Sequence, residues 1–339
     1  MINAIWFVVL ALMLTGYAIL DGFDLGVGAL HLLVGRTREE RERAIDTIGP
    51  VWNGNEVWLL AAGGSMVVAF PHLYASAFSG FYLALMLVVW LLILRGLAIE
   101  FRHQVDNPLW RDAWDVTFSV SSAVLAVLFG VAVGNVLRGV PFDSNGEFQG
   151  SFALLLNPFA ILAGLLSLSV LSLHGAAYLT LKTDGTMQAR ARRLAGTFRW
   201  VVVALVAAMT AASFIVRPDF TRNFAGHPAL LVAPALALAA LVALGRSWRR
   251  QQEARTFQAS AVLIAGILAS VAAGLFPRLL PALPGSGHAD LDIYNAASPE
   301  HSLRVALGIY LVGMAIVIAY LSRIYRVWRG KARQGSYHI

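Results

Sequence analysis

The chain has 339 residues, 58% of them hydrophobic and 13% charged, with a formal net charge of +7 and a mean hydropathy of +0.68. Soluble domains carry about 25% charged residues, so a water-soluble globular class is excluded. The absence of cysteine removes disulfides, thiolate chemistry and Cys-ligated haem or iron–sulfur clusters.

Apolar runs recur from end to end and predict an all-α integral membrane protein. Nine transmembrane helices fit, at roughly 4–33, 51–70, 74–99, 114–137, 153–180, 200–216, 228–245, 257–276 and 303–322. No small-residue cleavage site follows the first run, which reads as a retained helix rather than a leader. Lys and Arg fall almost wholly on alternate connections: 21 of the 26 lie after the first, third, fifth and seventh spans, at the edge of the third (Arg95), or in the tail. The positive-inside rule then puts the N-terminus outside and the C-terminus in the cytoplasm. This spread suits anionic lipid on the inner face and needs no nucleic acid. The connection 278–302, rich in Pro, Gly and Ser, reads either as a flexible link or as a surface for a partner or substrate.

Span one, about 30 residues and roughly 45 Å long, carries Asp21 and Asp24 on one face, with Tyr17 a turn before. An unpaired carboxylate costs several kcal/mol or more in hydrocarbon. The pair therefore either accepts hydrogen bonds from a tightly packed neighbour or forms a protonatable site reached from the cytoplasm. Gly22 and Gly26 form a small-xxx-small pair where another helix can approach.

Span two opens on TIGPVWNGNEVWL, in which Asn53, Asn55 and Glu56 give one end of the helix a polar surface. Trp52 and Trp58 are either interfacial belt residues or braces for a hydrophobic cofactor. Span three ends on RGLAIEFR. Its Glu100 is either a solvent-facing acid paired with an arginine or the mouth of a polar route. Asp115 opens span four near Asp112. Asp21, Asp24, Glu56, Glu100 and Asp115 thus all belong to the inner halves or ends of the first four spans, which reads as cytoplasmic proton uptake.

His31 and His174 are the histidines within spans; both read as hydrogen-bonded residues ahead of haem ligands, and no opposed bis-histidine pair is evident. Met66, Met86, Met209 and Met314 read as packing. His72, His103, His227, His288, His301 and His338 fall in turns, at span edges or in the tail. A proton-coupled transporter would show broken spans in corresponding halves, whereas Pro50, Pro71, Pro158, Pro218, Pro228 and Pro277 sit at or near span ends. A purely structural membrane subunit with packing carboxylates is the other alternative.

The strings DGFDLGVGAL, TIGPVWNGNEVWL, FSGFYLALM, RGLAIEFR, GVAVGNVLRGVPF and LLNPFAILAGL, in this order from residue 14 to about 180, resemble subunit II of the cytochrome bd-type quinol oxidases. The last third matches mainly by spacing and hydropathy. The resemblance implies two four-helix bundles plus one peripheral helix, with residues 1–137 as the first bundle and 153–339 holding the second. It implies a larger partner, subunit I, that carries haems b558, b595 and d and oxidises quinol, and a complex that reduces O2 to water in the bacterial cytoplasmic membrane. This chain would support that partner and contribute to proton access. By resemblance Asp21 and Asp24 correspond to an acidic pair, Trp52 to a family tryptophan and Glu100 to an entrance acid. A structural quinone and a small single-helix accessory subunit stay open. One departure stands out: Asn53 occupies the position of a family aspartate, so Glu56 is a candidate substitute for it.

Overall fold

A computed structural model describes residues 1–143, 147–287 and 289–332; His288 and His338, named above, and Arg333 of the basic tail lie outside them. Helices dominate. α1 runs Ile2–Val34, α2 Arg38–Ile48, α3 Trp52–Ala69, α4 Pro71–Gly80, α5 Tyr82–Phe101, α6 Pro108–Arg138 and α7 Phe152–Leu155. Then follow α8 Pro158–Lys182, α9 Gly185–Val216, α10 Arg222–Gly226, α11 Val232–Arg249, α12 Glu253–Leu275 and α13 Glu300–Val327. Among the described residues, eight helical stretches are long and apolar enough to cross a membrane. The expected span at 51–70 is α3, which is not one of the eight: Asn53, Asn55 and Glu56 fill its first turns.

Helix starts follow local chemistry. Thr37 and Glu40 form a reciprocal capping box on α2. Asn107 and Asn157 cap α6 and α8, each followed by proline at the first helical position, where a missing N–H costs nothing.

Several boundaries differ from the sequence reading. The expected span 74–99 breaks at Phe81 into α4 and α5, and the span expected from 153 opens with the single turn of α7 before α8 begins. The short sixth span is the second half of the 32-residue α9. Its basic first half is helical because Arg190 and Arg192 find partners in Glu40 and Glu253. The connection 34–50 is likewise helical, as α2.

The ends of α1, α5, α8, α11 and α13 gather with the starts of α3, α6, α9 and α12. Tyr178 donates to the Thr47 carbonyl at 2.7 Å, Lys182 to that of Trp328 at 2.6 Å and Arg190 to that of Val34 at 2.8 Å. We call this the basic end. A large core runs from this end along the helices, joining α1, α2, α5, α6, α8, α9, α11 and α12 with Trp52 of α3.

A second core at the opposite end joins the first half of α1, α3, α4 and the segment after α12. Described residues of that segment pack into this core, where the sequence reading allowed a flexible link at 278–302. β1 (Arg278–Leu280) pairs antiparallel with β2 (Leu291–Asp292), and Leu280, Leu291, Ile293 and Ala296 are buried. Asn3 donates to the Ile293 carbonyl at 2.7 Å, and the Trp6 indole to that of Leu303 at 3.1 Å.

Where α1 crosses α8, Gly26 and Gly175 meet backbone to backbone. A Cβ on Gly26 would stand 2.0 Å from the Leu171 carbonyl oxygen, and one on Gly175 would stand 2.3 Å from the Gly26 carbonyl carbon. Gly175→Ala is expected to cost about 1–3 kcal/mol by overpacking, read as a lowered thermal midpoint. Gly226→Ala, where the added methyl meets open space, is expected to leave the midpoint unchanged.

At the basic end Glu40 ties α2 to α9 through Arg190 and the Thr186 hydroxyl, and accepts the Arg36 N–H at 2.9 Å. Burial alone would raise its carboxyl, but the bonds from Arg190 and the Arg36 N–H outweigh it and hold the carboxyl at about 2. Because the folded value is depressed, the tie contributes fully above the ordinary carboxylate range and fades as pH falls toward 2. An acid titration of thermal stability is expected to lose this component between about pH 4.5 and 2, and Glu40→Gln to flatten it.

Candidate functional site

The polar centre lies where α1, α3 and α5 meet, in the half of the protein nearer the basic end. Asp21 is fully buried and Arg95 is 1% exposed. One guanidinium nitrogen of Arg95 reaches both Asp21 oxygens, at 2.8 and 3.0 Å, and the other reaches Glu56 Oε1 at 2.9 Å. The Glu56 side chain keeps 25% exposure, so this acid is the exposed edge of the ion triad.

Asp24, a turn along α1, is held differently. Its Oδ2 accepts from Asn55 Nδ2 at 2.7 Å, while Oδ1 is buried with no partner. The same Asn55 amide donates to the Leu20 carbonyl at 3.0 Å, and its oxygen accepts from the Tyr325 hydroxyl of α13 at 2.7 Å. Asn55 therefore stitches α1, α3 and α13 together. No guanidinium or ammonium group bonds to Asp24 among the described residues.

A second cluster, nearer the basic end, is built on Asp115. It accepts from Arg102 Nε at 2.6 Å and from Arg41 at 3.3 Å, and His31 Nε2 lies 2.9 Å away. Arg41 also reaches Asp112 at 3.0 Å. His31, Arg102 and Asp115 are buried, so α1, α2, α5 and α6 share one charge network.

The predicted site residues thus divide. Asp21, Asp24 and Glu56 come together on adjacent helices. Trp52 is buried at the start of α3, its ring beside Gly96 of α5. Asn53 is exposed, and the buried asparagine of the motif is Asn55. Glu100 is exposed at the end of α5, outside the triad. The residue that sequence reasoning missed is Arg95. Counted there as a basic edge of span three, it is a buried counter-charge; its position a turn and a half before Glu100, inside an apolar run, was the available signal.

Three of the four nitrogens of the two buried histidines are engaged within the chain. His174 Nδ1 bonds the Ser260 hydroxyl at 2.7 Å and Nε2 the Ile19 carbonyl at 3.0 Å, with the ring stacked on Phe257. His31 Nε2 is taken by Asp115, and its Nδ1 is buried without a partner. Beside the triad, toward the opposite end, opens an apolar cavity of about 440 Å³ lined by residues such as Leu14, Tyr17, Phe129, Met209, Val271 and Leu279.

Removing Arg95 strands two acids, one of them in the interior. Breaking a buried pair from one side costs about 3–5 kcal/mol, so Arg95→Met is expected to lower the thermal midpoint sharply. Asp21→Asn combined with Arg95→Met is expected to recover part of the loss, giving a non-additive double-mutant cycle.

Residues 2–328 match the family model for cytochrome bd terminal oxidase subunit II. The chain is 37% identical over 349 residues to the probable cytochrome oxidase subunit 2 of Haemophilus influenzae, covering 93% of this chain and 91% of that protein. It is 33% identical over 353 residues to the cytochrome bd-I ubiquinol oxidase subunit 2 of Escherichia coli strain K12, covering 95% and 92%. The cytochrome bd ubiquinol oxidase subunit 2 of Bacillus subtilis is 32% identical over 330 residues, covering 97% and 96%. The fold is similar to a chain of the bd oxidase from Geobacillus thermodenitrificans, with a TM-score of 0.78, 19% identity and coverage of 96% and 98%. With its apolar helices and this continuous match along nearly its whole length, the chain is a multi-pass membrane protein of the cytochrome bd terminal oxidase subunit II family.

Proposed function

We propose that this chain supports a haem-bearing subunit I in a bacterial quinol:O2 oxidoreductase of the cytoplasmic membrane and supplies part of its cytoplasmic proton access. In this reading it crosses the membrane nine times, with two four-helix bundles and a peripheral helix, N-terminus outside and C-terminus inside. The basic end is cytoplasmic. The charge asymmetry of the connections supports that orientation. The sparse burial of α13, with only Leu303 and Leu321 buried, supports its peripheral role.

The observation that carries the proton reading is the division of labour among three acids. Asp21 and Glu56 share Arg95, whereas Asp24 is held by an amide and has one oxygen unpartnered. Asp24 can gain or lose a proton without an ion pair being broken. Glu56, the one acid of the three with an exposed edge, is the group through which protons would enter, and Asn53 can only order water. In this reading haem chemistry falls to the partner, which is supported by both nitrogens of His174 and Nε2 of His31 being bonded within the chain. The apolar cavity beside Tyr17 has the size and lining of a site for a hydrophobic ligand, which supports a quinone held as a structural lipid.

The test uses the complex purified with its partner. Asp24→Asn and Glu56→Gln are expected to assemble with an unchanged reduced-minus-oxidised haem spectrum. Quinol-driven oxygen reduction is expected to slow about 10- to 100-fold, within the range of lost proton-transfer groups. Wild-type turnover in both variants would remove these acids from the route. Loss of assembly or of the haem spectrum would favour purely structural carboxylates.

A further inference from the structure

Away from the acidic centre, α9 and α11 cross near the basic end around a buried cation. Arg199 is 9% exposed, and its guanidinium lies between two indoles, 4.7 Å from the Trp200 ring and 4.8 Å from the Trp248 ring. Its Nε is buried with no hydrogen-bond partner. Arg95 and Arg102, the other buried arginines, each bond a carboxylate; Arg199 bonds none among the described residues.

The local sequence builds this arrangement. Gly196 makes room for Trp248, since a Cβ there would stand 2.5 Å from the indole, and Trp248 donates to the Arg192 carbonyl at 3.0 Å. A Cβ on Gly245 would lie 3.2 Å from a terminal nitrogen of Arg199. One turn beyond Gly245 the exposed Arg249 brings a second positive charge within electrostatic range. The acid of this corner, Glu253, is engaged by Gln188 at 2.5 Å, Arg192 at 3.5 Å and Lys331 at 3.8 Å.

Two arginines without a carboxylate, one of them desolvated, call for an anion. The surroundings say which kind. Trp200 is 61% exposed, and an exposed indole, an apolar ring with one polar N–H, suits the depth of lipid headgroups. Leading away from it, Val203 on α9 and Leu238 and Val242 on α11 are exposed and apolar, a surface for acyl chains.

We infer that Arg199 and Arg249, framed by Trp200 and Trp248, form a site for the phosphate of one anionic phospholipid whose acyl chains lie along α9 and α11. The guanidinium supplies fork-shaped donors to phosphate oxygens, and the indoles hold it in place by cation–π contact.

The test uses the assembled complex in neutral detergent, with lipid retention followed by native mass spectrometry and stability by thermal midpoint. Dioleoyl phosphatidylglycerol is expected to be retained and to raise the midpoint, while dioleoyl phosphatidylcholine at equal concentration does neither. Arg199→Gln and Arg249→Gln are each expected to shift half-saturation about fivefold upward, and Arg323→Gln on α13 to leave it unchanged. Equal responses to the two lipids, a full response to inorganic phosphate alone, or unchanged half-saturation in Arg249→Gln would overturn the site. Should Arg199→Gln fail to assemble, the lipid comparison on the wild type and the exposed Arg249 variant decide.

Discussion

A guanidinium removed from water has to be surrounded by acceptors, and Arg95 meets that demand with acids from two other helices. The ideal cost of burying such charges is large, and their attraction offsets it only when the geometry is good and all partners are present. The interaction therefore does more to specify than to stabilise. α1, α3 and α5 fit together in one register, with Asp21, Glu56 and Arg95 at the same depth. Asn55 adds α13 to that register through Tyr325, and the Asp115 cluster repeats the logic nearer the basic end with α1, α2, α5 and α6.

Much of this was legible in the sequence. Runs of apolar residues gave the helices, because backbone groups in lipid have no alternative to helical pairing. The acids stood out because few residues of their kind sit in such runs. What stayed hidden was the pairing. Arg95 lies 74 positions from Asp21, and hydropathy does not tell a snorkelling arginine near a helix end from one turned inward. Asn53 and Asn55 posed a similar ambiguity: both are amides on the first turns of α3, and only packing against α1 decides that Asn55 is the buried one. The folded first half of α9 was missed because its arginines look like a loop until Glu40 and Glu253 are brought alongside.

Among the described residues, Asp24 differs from its neighbours in having no cation bonded to it, and Arg199 differs from the other buried arginines in bonding no carboxylate. Both exceptions stand beside counterparts bonded to a group of opposite charge. In a protein otherwise careful to match its buried charges, each mismatch marks a place where something from outside the chain completes the chemistry. For Asp24 the proposed visitor is a proton; for Arg199 it is a lipid phosphate.

The beginning of the polypeptide is completed by its end. The Trp6 indole needs the Leu303 carbonyl, Asn3 needs that of Ile293, and the Asn55 that holds Asp24 needs the hydroxyl of Tyr325. A chain emerging from the ribosome at about 5–20 residues per second inserts α1 well before any of these partners exist. During that interval the Asn3 amide and the Trp6 indole of the first helix lack the acceptors they have in the finished fold. A message truncated before α13 would yield a product whose first helix never closes, and which membrane proteases could recognise by that defect.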